Sequence, residues 1–92
     1  MDGVSNKTKS PMDLTEGLVE RVDYLRVPET TTTVCMVVMP GGFVVVGKSA
    51  CVDPLRFDAQ LGEKYAREDA MRQACEHVAF WLVLSAAERA GA

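Results

Sequence analysis

The sequence is poor in the residues from which metal and catalytic sites are usually built. Among its 92 residues it has one histidine, His77, and three cysteines, which do not follow a metal-ligand spacing. Cys75 and His77 are two positions apart in a helix-forming segment, so they do not share a helix face. No serine or cysteine can be matched on the sequence with a base and an orienting group. We therefore expect no metal, no cofactor and no enzyme activity.

Positive charge and long apolar runs are also missing. The net charge of −3 gives no basic footprint of the kind that binding to duplex nucleic acid requires. The longest uncharged apolar runs, Val34–Val46 and Val78–Ala87, are shorter than the ~18–20 residues of a membrane-spanning helix. Residues 1–10 lack the apolar segment of a signal peptide. We expect a cytoplasmic protein without membrane association, in which residues 1–10 form a mobile polar tail and residues 11–92 a single domain.

What the sequence does contain is a strand–turn–strand pattern followed by a long helical segment. Two β-prone apolar runs, Thr31–Met39 and the run that begins at Phe43, flank a turn with Gly41 and Gly42, which predicts an antiparallel β-hairpin. A turn centred on the two glycines would place Cys35 opposite Lys48 and Cys51 opposite Thr32. The two cysteines are then not cross-strand partners, so no disulfide is expected between them.

Helices are predicted on both sides of the hairpin. Asp53 followed by Pro54 resembles a helix start, and we expect a turn of helix at Pro54–Phe57. A long helix follows from about Asp58 to Arg89, with a bend possible near Gly62. Before the hairpin, Leu14, Leu18, Val22 and Leu25 recur at helical spacing, which predicts a short helix over Leu14–Leu25. The expected fold class is α+β: a short N-terminal helix, an antiparallel hairpin or small sheet, and a long C-terminal helix.

Both faces of the predicted hairpin are apolar in their central part. Val34, Met36 and Val38 alternate with Cys35, Val37 and Met39, a pattern typical of strands covered on both sides. The long helix can cover one face, with Ala66, Ala70 and Ala74 allowing a close approach. The other face must meet the N-terminal helix or a second subunit. The C-terminal half of the long helix is apolar nearly all round, which also indicates burial on more than one side. We therefore expect a homo-oligomer.

The charged residues of the long helix leave two interpretations open. Lys64 and Glu68, and likewise Glu68 and Arg72, are four residues apart, which is typical of a solvated, salt-bridged face. Alternatively Lys64, Arg67 and Arg72 supply cations to a phosphate-bearing ligand, and Phe43 or Tyr65 supplies a stacking surface.

The residues from Thr33 to Ala70 resemble a family of small tailed-phage proteins, the gene-forty-nine/gene-sixty-six family. The run from Gly42-Phe43 through Ser49-Ala-Cys-Val-Asp-Pro54 to Phe57-Asp58 matches its pattern, as does the run from Gly62 to Ala66-Arg-Glu-Asp-Ala70. The turn departs from the pattern, with Pro-Gly-Gly where Asn-Gly is commoner. The resemblance implies a phage protein that acts in the cytoplasm of the host cell.

The sequence is also similar to phage anti-defence proteins that sequester the cyclic ADP-ribose-type signal of Thoeris immunity. That similarity implies a homo-oligomer that holds a small nucleotide at subunit interfaces without turning it over. Phe43 would stack on a base, Asp53 would make a polar contact and Arg67 would meet a phosphate. Core packing, a helix cap and a solvated charge are the respective structural alternatives. The alternative function is a protein-interaction or structural module that acts on a host or phage protein.

Overall fold

A computed structural model describes residues 10–91 of the chain. A short helix, α1 (Pro11–Leu18), precedes three strands, β1 (Arg21–Arg26), β2 (Thr32–Met39) and β3 (Phe43–Ala50). A single 3₁₀ turn at Pro54–Arg56 then leads to the long helix α2 (Ala59–Gly91). The structure confirms the predicted α+β class, the hairpin and the long C-terminal helix. The expected tail of residues 1–10 lies outside the described residues, except for Ser10.

The prediction of a helix over Leu14–Leu25 is wrong in its second half. The helix α1 ends at Leu18, and β1 forms the third strand of an antiparallel sheet in the order β1-β2-β3. Val22 pairs with Val37 and Tyr24 with Cys35. The pairing with β2 satisfies backbone groups that would otherwise be left at a bare edge, and this tertiary gain outweighs the local helical spacing of the apolar residues.

The hairpin register differs by one residue from the predicted one. Met39 pairs with Phe43 across a three-residue loop, so that Cys35 lies opposite Gly47 and Thr32 opposite Ala50. The loop Pro40–Gly42 is a 3₁₀ turn in which Gly41 and Gly42 have φ values of 79° and 80°. Two consecutive left-handed residues suit glycine. Cys35 and Cys51 are not partners, and all three cysteines are free thiols.

The helix α2 covers one face of the sheet at very short distance. Its stripe of Ala66, Ala70 and Ala74 is buried against β2 and β3. A Cβ built at Gly47 would collide with the backbone of both Ala66 and Ala70. Only glycine therefore lets the helix approach this closely. The helix α2 is continuous through Gly62. The other members of the buried core are Cys35, Val37, Met39, Val45, Met71 and Val78.

The second face of the sheet is left uncovered by residues 10–91. We refer to it as the open face, and its apolar side chains are Leu25, Val34, Met36, Val38, Val44 and Val46. Val46 is 50% exposed, Val44 47% and Leu25 54%. The helix α1 packs against α2 on the other side, with Met12 and Leu14 against the core. The sequence analysis expected either the N-terminal helix or a second subunit to cover this face. The N-terminal helix does not cover it.

The C-terminal part of α2 extends beyond its contact with the sheet. The last buried residue of α2 is Val78, and Leu82 is partly buried. We call residues 80–91 the arm. Apart from Leu82, its large apolar side chains are exposed, with Phe80 at 68% and Trp81 at 60%. Trp81, three residues after Val78, is therefore not part of the buried core. Within residues 10–91, no helix is long and apolar enough to cross a membrane.

Candidate functional site

A groove of about 580 Å³ lies where α1, β1 and the first half of α2 meet. It brings together two of the five predicted ligand-binding residues, Lys64 and Arg67. We call it the α1–α2 groove. Its lining residues are Met12, Glu16, Tyr24, Gln60, Glu63, Lys64, Arg67, Glu68 and Met71.

The first wall of the α1–α2 groove is fixed by the start of α1. The Ser10 Oγ accepts a hydrogen bond from the backbone N–H of Asp13 at 3.1 Å, and the Ser10 N–H donates to Asp13 Oδ2 at 3.3 Å. With Pro11 in the first turn, this capping box determines where the helix begins. Met12 and Glu16 are four residues apart, so both lie on the helix face that borders the groove.

The opposite wall is one face of α2. Asp58 caps this helix, because its Oδ1 accepts hydrogen bonds from the N–H groups of Gln60 at 2.9 Å and Leu61 at 3.2 Å. The long helix therefore begins where the sequence predicted, next to Asp58. The groove residues that follow recur every three or four positions, which places them in a row beside the buried alanine stripe.

The α1–α2 groove holds two cations without an ion-pair partner among residues 10–91. Neither Lys64 nor Arg67 lies within 4.0 Å of a carboxylate oxygen in that part of the chain. The predicted Lys64–Glu68 pair is therefore not formed, although both side chains line the groove. Lys64 Nζ instead lies 5.9 Å from the ring centroid of Tyr65, within the distance of a cation–π contact.

Tyr24 provides an aromatic ring on the β1 side of the groove. Partial burial raises the pKa of its hydroxyl above the ordinary value of 10.0, and the charge of Arg67 opposes that shift. Arg67 and Tyr24 both line the groove, one on α2 and the other on β1. The groove thus combines an aromatic ring, two cations and three carboxylates, those of Glu16, Glu63 and Glu68.

Phe43 lies away from the α1–α2 groove, at the end of the hairpin. Its ring is edge-on to His77 with the centroids 5.3 Å apart, and it is half exposed. His77 follows Arg67 by ten residues, which is about 15 Å along a helix. Phe43 borders a second cavity of about 450 Å³ between the hairpin end and α2, with Leu18, Pro40 and Trp81 among its apolar walls.

Asp53 and Arg72 are both engaged in structural contacts. Asp53 caps the 3₁₀ turn, accepting from the Leu55 N–H at 3.0 Å, with Arg56 Nε 3.6 Å from its other oxygen. Arg72 bridges Asp69 at 2.7 Å and Glu76 at 3.2 Å, in place of the predicted Glu68. The five predicted ligand-binding residues therefore lie in four separate places.

The Asp69 carboxylate also holds α2 to the edge of the sheet. Its Oδ2 accepts a hydrogen bond of 3.0 Å from the backbone N–H of Lys48 in β3. This bond, together with those from Arg72 and Gln73, holds the pKa of Asp69 below its ordinary value. The cluster is a structural clamp, since its charges satisfy one another.

Sequence reasoning missed Met12, Glu16 and Tyr24 as groove residues. Tyr24 was taken as part of a helix, although the alternation of Val22, Tyr24 and Arg26 with Arg21, Asp23 and Leu25 is a usable strand signal. The groove's chemistry is that of binding. Guanidinium and ammonium groups bind phosphate oxygens, carboxylates accept from hydroxyls and amines, and an aromatic ring stacks on a base. No group of three potential metal ligands occurs within residues 10–91.

A sequence model described as the phage protein (N4 Gp49/phage Sf6 gene 66) family matches residues 7–83. The match spans all of the strands, α1 and most of α2, including every residue of the α1–α2 groove. Neither a curated protein nor a solved structure matches the chain.

Proposed function

Because the chain belongs to this family of phage proteins, we propose that it is a phage-encoded, non-enzymatic binding protein that sequesters a small nucleotide. The ligand class is a cyclic nucleotide immune signal of the cyclic ADP-ribose type, and its capture blocks host antiphage defence. The observation that carries the proposal is the pair of cations, Lys64 and Arg67, which have no ion-pair partner among residues 10–91 and lie in a groove that also presents Tyr24.

The mixed charge of the groove supports a nucleotide rather than a simple anion. Three carboxylates beside two cations would repel a bare phosphate or sulfate. A ligand of the cyclic ADP-ribose type carries a pyrophosphate for Lys64 and Arg67, and also ribose hydroxyls and a base amine that donate to carboxylates. Its base would stack on Tyr24. The volume of about 580 Å³ is within the range of small-molecule sites.

The assignment of residues differs from the one that the resemblance implied. Arg67 keeps the role of a phosphate contact and Lys64 joins it, whereas Tyr24 replaces Phe43 as the stacking ring. Asp53 and Arg72 have no part in the proposal because both are engaged elsewhere. The groove is built from elements of one chain, so capture of the ligand needs no residue from a second subunit.

Calorimetric titration of the pure protein with cyclic ADP-ribose isomers and other cyclic nucleotides tests the proposal. We expect one of these ligands to bind and to raise the melting temperature. Arg67→Ala should weaken its binding by about tenfold or more, since it removes a charge-assisted contact to phosphate. Arg72→Ala is the matched control, as it removes an exposed arginine of the same helix outside the groove, and should leave affinity unchanged.

Two results would contradict the proposal. One is the absence of binding by every cyclic nucleotide tested, and the other is equal loss in the Arg67 and Arg72 variants. Release of the bound ligand by heat, followed by mass analysis, separates capture from catalysis. An unmodified ligand is expected, and a converted one would make the protein an enzyme.

The exposed arm supports a second candidate, a module that binds a host or phage protein. Phe80, Trp81, Val83 and Leu84 are each 45–68% exposed, a cluster of large apolar side chains typical of an interaction site. Affinity purification from infected cells would recover one stoichiometric partner with wild-type protein and lose it with Trp81→Ala. Retention of that partner by the variant would exclude the arm as its binding site.

A further inference from the structure

We infer that the carboxylates of the α1–α2 groove select nucleotides whose phosphates lie inside the molecule and reject nucleotides that end in a free phosphate. The inference rests on the function proposed for this groove, and it adds the subclass of nucleotide that the groove accepts. That subclass carries a pyrophosphate that is esterified at both ends, as in ADP-ribose and its cyclic isomers. Nucleotides such as ADP, which end in a phosphate, lie outside it.

The α2 wall of the groove places its two cations between two carboxylates. An α-helix turns by about 100° per residue, so Arg67 and Lys64 lie about 60° apart around the helix axis. Glu63 and Glu68 lie about 40° further out, one on each side. All four side chains line the groove. On this wall the positive charge is therefore central, and the negative charge lies at both margins.

The carboxylates of the groove keep their charge available to a ligand. Glu16 of α1 supplies the third of them, on the facing wall. In the described part of the chain, no cation lies within 4.0 Å of Glu16, Glu63 or Glu68. Asp69 of the same helix, by contrast, is paired with Arg72. The charged groups that line the groove therefore carry one net negative charge, even though its centre is positive.

The two central cations match the two phosphates of a pyrophosphate. Lys64 and Arg67 are three residues apart, so their Cβ atoms lie about 5–6 Å from each other on the helix surface. Each cation can bind one phosphate group, while the sugars attached at the two ends extend towards the margins. Ribose hydroxyls donate hydrogen bonds to carboxylates there. A ligand with internal phosphates thus has acceptors opposite the cations and donors opposite the carboxylates.

A terminal phosphate loses this match at one margin. Near neutral pH it carries about 1.5–2 negative charges, and it lies where an esterified phosphate would have its sugar. Glu63 or Glu68 then faces a like charge instead of a hydroxyl donor, which opposes binding. Unfavourable contacts with a competing ligand are a general source of specificity. The carboxylates at the margins therefore determine which nucleotides the groove excludes.

A divalent cation shared by the carboxylates and the phosphates is the competing arrangement, because it would remove the repulsion. The structure disfavours it. Glu63 and Glu68 lie about 140° apart around the helix and so do not share one of its faces. Within residues 10–91, no group of three potential metal ligands occurs. The carboxylates are therefore placed to act on the ligand directly, and the titrations that follow contain EDTA.

Calorimetric titration of the wild-type chain with ADP-ribose and with ADP, at low ionic strength, tests the inference. The two probes share adenosine and both phosphates, and they differ only in the ribose on the second phosphate. ADP-ribose should bind about tenfold more tightly than ADP or better, because the free phosphate of ADP brings extra negative charge next to a carboxylate. The preference should shrink at high salt, which screens exposed charges.

A double substitution, Glu63→Gln with Glu68→Gln, tests the role of the two margins. It removes both charges and keeps the length of the side chains and their ability to accept hydrogen bonds. The affinity for ADP should rise about fivefold or more, and the preference for ADP-ribose should largely disappear. Glu88→Gln is the matched control, since it removes an exposed carboxylate of the same helix outside the groove, and it should keep the wild-type preference. Circular dichroism checks that both variants keep the wild-type fold.

Three outcomes would overturn the inference. The first is a wild-type chain that binds neither probe, or that binds ADP as tightly as ADP-ribose. The second is a double variant that keeps the wild-type preference. The third is an equal loss of preference in Glu88→Gln, which would make it an effect of overall charge.

Failure of the proposed function gives a different result. Binding of ADP-ribose with the expected preference, but of no cyclic nucleotide, would contradict the cyclic ligand class and leave the inference standing. Binding of a cyclic nucleotide by a chain whose preference the double substitution does not change would overturn the inference alone.

Discussion

The two faces of the sheet have nearly the same apolar composition but opposite surroundings. On the covered face Cys35 and Val37 have no exposed surface, whereas Val44 and Val46 on the open face are about half exposed. The covered face differs in one respect, since it contains Gly47 and faces a stripe of alanines. Apolar alternation thus indicates that a face is to be buried, and small residues indicate which face accepts a helix backbone.

The largest expected effect comes from disrupting the closest contact between the covered face of the sheet and α2. Gly47→Ala adds a Cβ that would lie 2.7 Å from the Ala70 Cα and collide with other backbone atoms of α2. Backbone cannot move aside as a flexible side chain does, so the free energy of unfolding should fall by about 3 kcal/mol or more. Urea denaturation monitored by circular dichroism measures this fall in the free energy of unfolding.

Gly17→Ala is the matched control for that substitution. Gly17 lies inside α1 with nothing within 4 Å of an added Cβ. Alanine there should stabilise the protein by about 0.5–1 kcal/mol, through its higher helix propensity. A Gly47→Ala variant as stable as wild type would show that α2 does not pack this closely on the sheet.

A matched pair of valine truncations compares the two faces directly. Val37→Ala leaves a cavity in the buried core and should cost about 2–3 kcal/mol. Val46→Ala should cost only about 0.5 kcal/mol in dilute protein, because its side chain is half exposed. Equal costs for both valines in dilute protein would contradict the assignment of the faces.

The smallest expected effect concerns the clamp between α2 and β3. Asp69 has a pKa below its ordinary value of 3.8, so it binds protons less readily in the folded than in the unfolded chain. Its contribution is therefore present above about pH 4 and is lost as the pH falls towards the folded-state pKa. Asp69→Asn should cost about 1 kcal/mol at neutral pH, a value limited by partial exposure to solvent.

The pH dependence of that substitution provides the check. The stability difference between wild type and Asp69→Asn should shrink between about pH 4 and pH 2, because the wild-type carboxylate is protonated there. Thermal unfolding at several pH values measures the difference. A constant difference over this range would show that the bond from the Lys48 N–H does not depend on the charge of Asp69.

The sequence predicted the parts of the fold that depend on local patterns. The hairpin, the cap at Asp58 and the alanine face of α2 all follow from spacing and residue type within short segments. The strand β1 could not be predicted in this way, because its apolar residues fit both the helical and the strand period. Only its pairing with β2 decides between the two. The hairpin register was missed by one residue because Pro40 enlarges the loop to three residues.

The candidate site was less predictable than the fold, for a related reason. Lys64 and Arg67 could be selected because they lie on one helix at a known spacing. Their neighbours Glu16 and Tyr24 lie in α1 and β1. No local sequence pattern predicts that these two elements border α2. Phe43 was selected from its position after the turn, but the hairpin directs that turn towards His77 instead.

The alanine stripe does not by itself fix the position of α2 along the sheet, and Gly62 supplies a further constraint. Alanines recur every four residues, so a helix displaced by four residues, about 6 Å, would still present small side chains to Gly47. The same displacement would bring the Cβ of Ala66 to the place of Gly62, where a Cβ would lie 2.7 Å from the Thr33 Oγ1. Gly62 therefore helps to fix the position of α2 along the sheet. It restricts α2 to one of the positions that its periodic alanine face would otherwise permit. In that position Lys64 and Arg67 lie beside Tyr24.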